Sequence, residues 1–333
     1  MFYRKYNAIV TAVGLYVPDK ILDNKYFEKI VDTSDEWITT RTGIKERRIL
    51  ENGATSDLAT LAAKDLIEKH NVNKDDIDAL IVATVTPDMF FPATAALVQY
   101  KLDLPNVWGF DLSAACSGFL FALQTGASLI ESGRFKKVLV IGADKMSSIV
   151  DYTDRNTCIL FGDAGSAFLL EPTEDLNYGL KQSILRVDGA GKDYLYMLGG
   201  GSLNPSTFET VQKRWHYIYQ DGKAVFKVAV KGMADVSVEL MEKSGLKSDD
   251  VAYLVPHQAN MRIIDATAER MGVSKDKVMV NIDRYGNTTA ATIPSCITEY
   301  YRAGKLKKGD NLILAAFGAG YTWGASHLVW AID

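Results

Sequence analysis

Cysteine and histidine are scarce in this chain: of 333 residues, three are cysteine and four are histidine. Cys116, Cys158 and Cys296 are far apart and odd in number, which fits neither a disulfide framework nor metal-ligand spacing and points to a reducing compartment. Long apolar runs are also missing, and no window reaches the roughly 18 residues that a bilayer span needs. The opening segment Met1-Phe-Tyr-Arg-Lys5 leads into a strand-like Ala8-Ile-Val-Thr-Ala-Val13 without the apolar core of a secretory leader, so a cytoplasmic location is expected. Neither charge sign dominates. With 37 Lys and Arg against 41 Asp and Glu the net charge is −4, which argues against nucleic acid or an anionic membrane as partner. Low-complexity tracts and long linkers are absent. What remains is 47% hydrophobic and 23% charged, the balance of a globular enzyme with length for about two domains.

Strand and helix signals alternate. Ile77-Asp-Ala-Leu-Ile-Val-Ala83 and Val138-Leu-Val-Ile-Gly142 read as buried parallel strands, and Ser56 to His70 has helical spacing. The series recurs 174 residues later. Asp75-Asp76 before the first strand corresponds to Asp249-Asp250 before Val251-Ala-Tyr-Leu-Val255. Leu66-Ile-Glu-Lys69 corresponds to Leu240-Met-Glu-Lys243, and Val138 to Ala143 corresponds to Leu312-Ile-Leu-Ala-Ala-Phe317. Any α/β protein repeats such local patterns, but three segments in one register favour two similar α/β halves, about 1–175 and 176–333, packed as a pseudo-dyad. The Gly- and aromatic-rich stretch 189–222 reads as an irregular insertion in the second half.

Asp111-Leu-Ser-Ala-Ala-Cys-Ser-Gly118 is followed by the apolar run Phe119-Leu-Phe-Ala-Leu123. Small neighbours give access to Cys116, and a thiol at the start of a buried helix has its thiolate favoured by unpaired amides and the dipole. It reads equally as a small buried hydrophobe. Val255-Pro-His-Gln-Ala-Asn260 and Tyr285-Gly-Asn-Thr-Thr289 stand at strand-to-helix positions of the second half. Ligand sites gather at the carboxyl ends of strands, so Cys116, His257 and Asn287 are candidates to converge between the halves. By themselves His257 also fits a core histidine and Asn287 a turn residue or the start of an N-capped helix. Cys158 and Cys296 have no motif around them and read as packing residues.

Taken together, Thr33-Ser-Asp-Glu-Trp-Ile38, Arg41-Thr-Gly-Ile44, Asp111 to Gly118, Phe161-Gly-Asp163, Pro256-His-Gln-Ala-Asn260, Tyr285-Gly-Asn-Thr288 and Phe317-Gly-Ala-Gly-Tyr-Thr-Trp-Gly324 resemble the β-ketoacyl-acyl-carrier-protein synthase III family over nearly the whole chain. The resemblance implies the thiolase-like fold, layered αβαβα. It also implies a decarboxylative Claisen condensation of an acyl-CoA primer with malonyl-acyl-carrier protein that initiates fatty-acid synthesis. Asn287 in its Tyr-Gly-Asn setting resembles the branch that accepts acyl-CoA primers.

On that resemblance Cys116 is the nucleophile, the amides of Cys116 and Ala319 form the oxyanion hole, and His257 and Asn287 donate to the enolate. Relatives commonly carry glycine where Ala319 stands, and the methyl forbids the φ > 0 conformations open to glycine. Thr33, Trp37, Arg41, Arg155 and Asn260 are implied to bind coenzyme A, as a stacking platform, flanking cations and hydrogen-bonding groups. The bland alternatives are a half-buried aromatic and solvated charges. Phe90 and Phe91 resemble a loop that reaches a neighbouring subunit's acyl pocket, which implies a homodimer. Lys227, Arg262 and Arg270 are expected to dock the acidic carrier protein, with Glu269 weakening the patch. No metal and no cofactor is expected, acyl-CoA being a substrate. The identity of the primer is not legible. A secondary-metabolism relative with another acceptor, and a non-catalytic acyl-binding subunit, are the competing readings.

Overall fold

Apolar runs bounded by turn residues become the strands. The computed structural model describes residues 5–333; Met1 to Arg4, the start of the segment expected to carry no leader, lie outside the described residues. Thirteen strands follow one another among them: β1 (Asn7–Tyr16), β2 (Lys20–Asp23), β3 (Glu46–Ile49), β4 (Ala79–Ala83), β5 (Trp108–Leu112), β6 (Val138–Lys145), β7 (Asp163–Thr173), β8 (Gly179–Val187), β9 (Leu195–Met197), β10 (Ile218–Gln220), β11 (Tyr253–Pro256), β12 (Asn311–Gly318) and β13 (Thr322–Val329). The helices of eight or more residues are α1 (Asp35–Thr42), α2 (Thr55–His70), α3 (Thr94–Leu102), α4 (Gly118–Glu131), α5 (Gly222–Lys243), α6 (Met261–Met271) and α7 (Thr292–Arg302).

Two sheets carry the fold, in the orders β1-β7-β6-β4-β5 and β11-β12-β13-β8. Their registers match. Ala79 of β4 pairs in parallel with Val138 of β6, and Tyr253 of β11 pairs in parallel with Leu312 of β12, each partner 174 residues on. The repeat seen in the sequence is therefore a repeat of strand pairing. It fails at one edge: β5 has no counterpart, and a single parallel bridge from Leu254 to Val278 stands where a fifth strand would be. The β5 edge stays open on the far side, with Trp108 exposed.

Alternation along the strands sets the layers. Ala79, Ile81 and Ala83 share one buried cluster with Phe119, Leu120 and Leu123 of α4, Ile293, Cys296 and Ile297 of α7, and Leu312 and Leu314 of the other sheet. Leu80 and Val82 face the opposite way, onto Leu58 and Leu66 of α2. In the second half Leu254 and Ile313 face Met233, Val236 and Leu240 of α5 and Ile264 of α6. The result is αβαβα, with α4 and α7 sandwiched between the sheets. The first turns of α4 read Gly-Phe-Leu-Phe-Ala-Leu because they lie between the sheets, while Gln124, Thr125 and Ser128 fall on the less buried side of the helix.

Two boundaries differ from expectation. The strands expected at 77 and 251 begin at Ala79 and Tyr253, because the Asp-Asp pairs sit in short 3-10 turns, Lys74–Asp76 and Ser248–Asp250, that occupy the preceding residues. The 189–222 insertion is more ordered than expected and contains the β9–β10 ribbon. It is fastened by Arg214 on Asp151 (Nε to Oδ2, 2.8 Å) and by Ile218 N–H on the Ile149 carbonyl, 2.8 Å.

Where the halves meet, backbone touches backbone. A Cβ placed on Gly142 of β6 would stand 2.4 Å from the Ala290 carbonyl oxygen. Gly142→Ala is expected to cost roughly 1–3 kcal/mol by overpacking, read as a lower denaturant midpoint at unchanged m-value. A midpoint equal to that of the wild type would show that the halves separate freely there.

Candidate active site

The two central helices begin in the same unusual way. A 3-10 turn, Ala115–Ser117, precedes α4, and another, Thr289–Ala291, precedes α7. Each opens on a left-handed residue, Ala115 at φ 48° and Thr289 at φ 53°, again 174 positions apart. For a β-branched threonine that conformation is a steric outlier, of a kind concentrated at functional sites. Cys116 occupies the middle of the first turn, and its counterpart in the second is Ala290.

The supports of the two turns differ. The Ala290 N–H donates to Oδ2 of Asp144, 3.3 Å away at the end of β6. The counterpart of Asp144 in β12 is Gly318, which lies against the nucleophile candidate: an added Cβ would stand 2.7 Å from the Cys116 nitrogen. One half thus places a carboxylate on the turn amide, while the other leaves the space beside the Cys116 amide without a side chain. Ala319 follows with no left-handed backbone, the strain being carried by Gly320 at φ 134°. The methyl of Ala319 is accordingly accommodated.

Cys116, His257, Asn287 and Ala319 line one cavity of about 930 Å³, together with Trp37, Arg41, Asn260 and Arg262. His257 ends β11, held by its N–H on the Ala315 carbonyl at 2.7 Å. Its ring is 2% exposed. Nδ1 lies 2.7 Å from Thr292 Oγ1, and Nε2 has no hydrogen-bond partner among the described residues. Burial lowers its pKa to about 3, so the imidazole is neutral. Asn287 is clamped between its N–H on the Leu160 carbonyl, 2.9 Å, and its carbonyl on the Gly162 N–H, 3.1 Å. Its Oδ1 accepts the Thr289 N–H at 2.9 Å, which leaves the amide NH₂ as the end that donates toward Cys116 and the cavity.

The expected thiolate is not preformed. Burial first, and the charge of Asp144 second, push the Cys116 thiol up to about 12, against a hydrogen bond from the Asn287 side chain. The physical reason is position: Cys116 precedes the Ser117 N-cap of α4, and the dipole there does not offset desolvation. Asp144 is itself buried, which raises its pKa to about 6, although Thr84 Oγ1, Val85 N–H and Thr86 Oγ1 all donate to it at 2.8–2.9 Å.

At the cavity mouth Ser34 caps α1 by accepting the Trp37 N–H at 3.1 Å. The Trp37 ring carries Arg41 at 5.4 Å and Arg155 at 5.0 Å. Arg155 is also paired with Asp32 at 3.4 Å, and Thr33 Oγ1 is buried without a partner among the described residues. Neither Arg155 nor Thr33 lines the cavity itself. Asn260 caps α6 through Oδ1 on the Arg262 N–H, 2.9 Å, leaving its amide NH₂ free to serve the cavity. Lys227 on α5 and Arg262 and Arg270 on α6 are exposed. Arg262 stacks on Phe226 at 4.4 Å, and Arg270 is offset by Asp235 at 3.7 Å, which weakens the patch beyond the effect expected of Glu269. Phe90 and Phe91 are 78% and 84% exposed and stand outside the chain's own cavity.

Several motif residues are scaffold. Asp111 caps α3 through the Thr94 and Ala95 amides, and Asp163 holds Ser147 and Leu50. Gln258 bonds Pro256, Met279, Asn281 and Ile282, tying the His257 loop to the segment that leads to Asn287. Asp144 and Thr292 lie outside the quoted motifs, and Gly318 lies within Phe317 to Gly324 without a role read for it. Extending the repeat one residue beyond Ala143 and Phe317 finds Asp144 and Gly318.

A duplicated αβαβα sandwich with cysteine, histidine and asparagine meeting in one cavity defines a thiolase-like condensing enzyme. Residues 110–189 match 3-oxoacyl-[acyl-carrier-protein (ACP)] synthase III, and residues 241–330 match its C-terminal part. The chain is 57% identical over 327 residues to β-ketoacyl-[acyl-carrier-protein] synthase III of Chlorobium phaeovibrioides, covering 97% of this chain and 99% of that one. It is 54% identical over 332 residues to β-ketoacyl-[acyl-carrier-protein] synthase III 2 of Bacteroides thetaiotaomicron, covering 99% and 98%. The crystal structure of 3-oxoacyl-[acyl-carrier-protein] synthase III from Aquifex aeolicus superimposes with a TM-score of 0.90 at 44% identity, covering 97% of this chain and all of that one. The chain belongs to the 3-oxoacyl-[acyl-carrier-protein] synthase III family.

With the thiol raised to about 12, the iodoacetamide rate at Cys116 is expected to climb about tenfold per pH unit from 7 to 10 without levelling. Peptide mapping of the alkylated cysteine reads it. A plateau near the ordinary thiol value of about 8.5 would show a site that does not penalise the thiolate.

Proposed function

We propose that the chain condenses an acyl-CoA primer with malonyl-acyl-carrier protein, giving 3-ketoacyl-acyl-carrier protein, coenzyme A and carbon dioxide, as the initiating step of fatty-acid synthesis. The carrying observation is the convergence of Cys116, His257 and Asn287 on one cavity whose mouth bears Trp37 between two guanidinium groups. Sγ of Cys116 attacks the thioester carbonyl, its proton leaving with coenzyme A as the free thiol. Because the resting thiol is neutral, the proton departs as the bond forms. The amides of Cys116 and Ala319 receive the oxyanion. Malonyl thioester then loses carbon dioxide, and the enolate oxygen takes hydrogen bonds from His257 and Asn287. The enolate carbon attacks the acyl-cysteine and Sγ leaves as a thiolate, which takes from solvent the one proton that decarboxylation consumes. Each step balances with these groups, so we assign the reaction no metal or other cofactor.

Trp37 with Arg41 and Arg155, Thr33 and the Asn260 amide are assigned to coenzyme A, and Lys227, Arg262 and the partly neutralised Arg270 to the carrier. The open β5 edge and the exposed Phe90, Phe91 and Trp108 support a homodimer in which the phenylalanines serve the partner's acyl pocket. Three unpaired cysteines agree with the cytoplasm, and no helix among the described residues is long and apolar enough to cross a membrane.

Intact mass after exposure to acetyl-, isobutyryl- and octanoyl-CoA is expected to show one acyl adduct, lost in Cys116→Ser. His257→Ala and Asn287→Ala should still acylate but release carbon dioxide from malonyl thioester about 10²–10³-fold more slowly. No adduct with any primer would overturn the reading. Sedimentation equilibrium is expected to give twice the 36.7 kDa chain mass. Trp108→Lys on the β5 edge should shift this toward one chain; a wild-type monomer removes the dimer assignment.

A further inference from the structure

Thr292 is the first residue of α7, 1% exposed, and its hydroxyl sits behind the His257 ring. That hydroxyl has one proton and two acceptors within reach, His257 Nδ1 at 2.7 Å and the Thr289 carbonyl at 3.0 Å. The two choices have opposite consequences. If the proton goes to the carbonyl, Nδ1–H donates to Oγ1 and Nε2 faces the cavity as an acceptor. If it goes to Nδ1, the neutral ring carries its proton on Nε2. The Thr289 carbonyl already accepts the Thr292 backbone N–H, and the distance to Nδ1 is the shorter.

We propose that Thr292 is a positioning residue that donates to Nδ1 and so holds His257 as the Nε2–H tautomer. The inference rests on the condensing role given to this site. The cavity then presents two donors side by side, Nε2–H and the Asn287 NH₂, whose own direction is set by the Thr289 amide on Oδ1. Both directions come from the single turn Thr289–Ala291 and the helix it opens. Two neutral donors lining one cavity can stabilise a developing enolate oxygen, whereas the other tautomer sets a lone pair against it. The neutrality imposed by burial makes the choice of tautomer decisive, since an imidazolium would donate at either nitrogen. Thr292 reaches the substrate only through His257, so acyl transfer to Cys116 does not call on it.

The test uses full-length chain labelled with ¹⁵N-histidine, the His257 signals being those lost in His257→Gln. The expected wild-type spectrum has the proton on Nε2 and a hydrogen-bonded, unprotonated Nδ1. In Thr292→Val the Nδ1 signal should move to that of an acceptor without a donor. Acyl-enzyme formation should stay within about twofold, and carbon dioxide release from malonyl thioester should fall roughly 10- to 100-fold, less than outright loss of a donor. Thr292→Ser should restore both signal and rate. A wild-type proton on Nδ1 overturns the proposal. So does a valine variant that releases carbon dioxide at the wild-type rate, or one that loses acylation in step with decarboxylation. A wild-type chain with the proton on Nε2 but no malonyl-dependent carbon dioxide release leaves the tautomer assignment standing and removes the condensing role instead.

Discussion

Everything in this molecule depends on how closely the beginnings of α4 and α7 approach each other between the sheets. Gly142 leaves no room for a Cβ against the Ala290 carbonyl, and Gly318 leaves none against the Cys116 nitrogen. The two turns are thereby pressed together across the pseudo-dyad, each entered through a left-handed residue that a free chain would avoid. Cys116 and Asn287 arrive in one cavity because the first lies in one of these turns and the second leads into the other. His257 is added from the end of β11, whose backbone is fixed to β12.

Duplication supplies two equivalent places, and the chain uses them differently. At one, Asp144 caps the Ala290 amide and anchors the 84–86 loop, a structural use of a buried carboxylate. At the other, Gly318 leaves the equivalent space clear beside Cys116. The space that a carboxylate fills in the first half is thus unoccupied by any side chain in the second. The remaining groups are neutral at rest: a thiol, an uncharged imidazole and an amide. Preorganised dipoles of this kind stabilise charge that appears only during reaction, and burial sharpens them.

Much of this was legible along the chain. The 174-residue repeat was visible in Asp75-Asp76 and Asp249-Asp250, and in Val138 to Ala143 and Leu312 to Phe317. It is visible because strand pairing demands apolar runs of fixed spacing, and both halves pair their strands in one register. The motifs around Cys116, His257 and Asn287 were readable because reactive residues sit in small, turn-forming neighbourhoods. Trp37 and Arg41 were readable at helical spacing. The ionisation of Cys116 was not, since a helix start in sequence does not reveal that the thiol lies upstream of the cap and under a buried carboxylate. The lack of a fifth strand in the second sheet was equally hidden, because Val278-Met-Val280 is as apolar as a short strand but pairs with Leu254 at Val278 alone.

The elements, their duplication and the residue types available for chemistry are written along the chain, because they follow from local periodicity and from side-chain reactivity. Which groups meet, and in what state, is set by the folded chain. Burial made His257 neutral and Cys116 a thiol. The Thr289 amide turned the Asn287 NH₂ toward the cavity, and Asp235 took part of the charge of Arg270. Each of these is a property of distance and desolvation between residues far apart in the chain, and neither quantity exists until the halves have closed on each other.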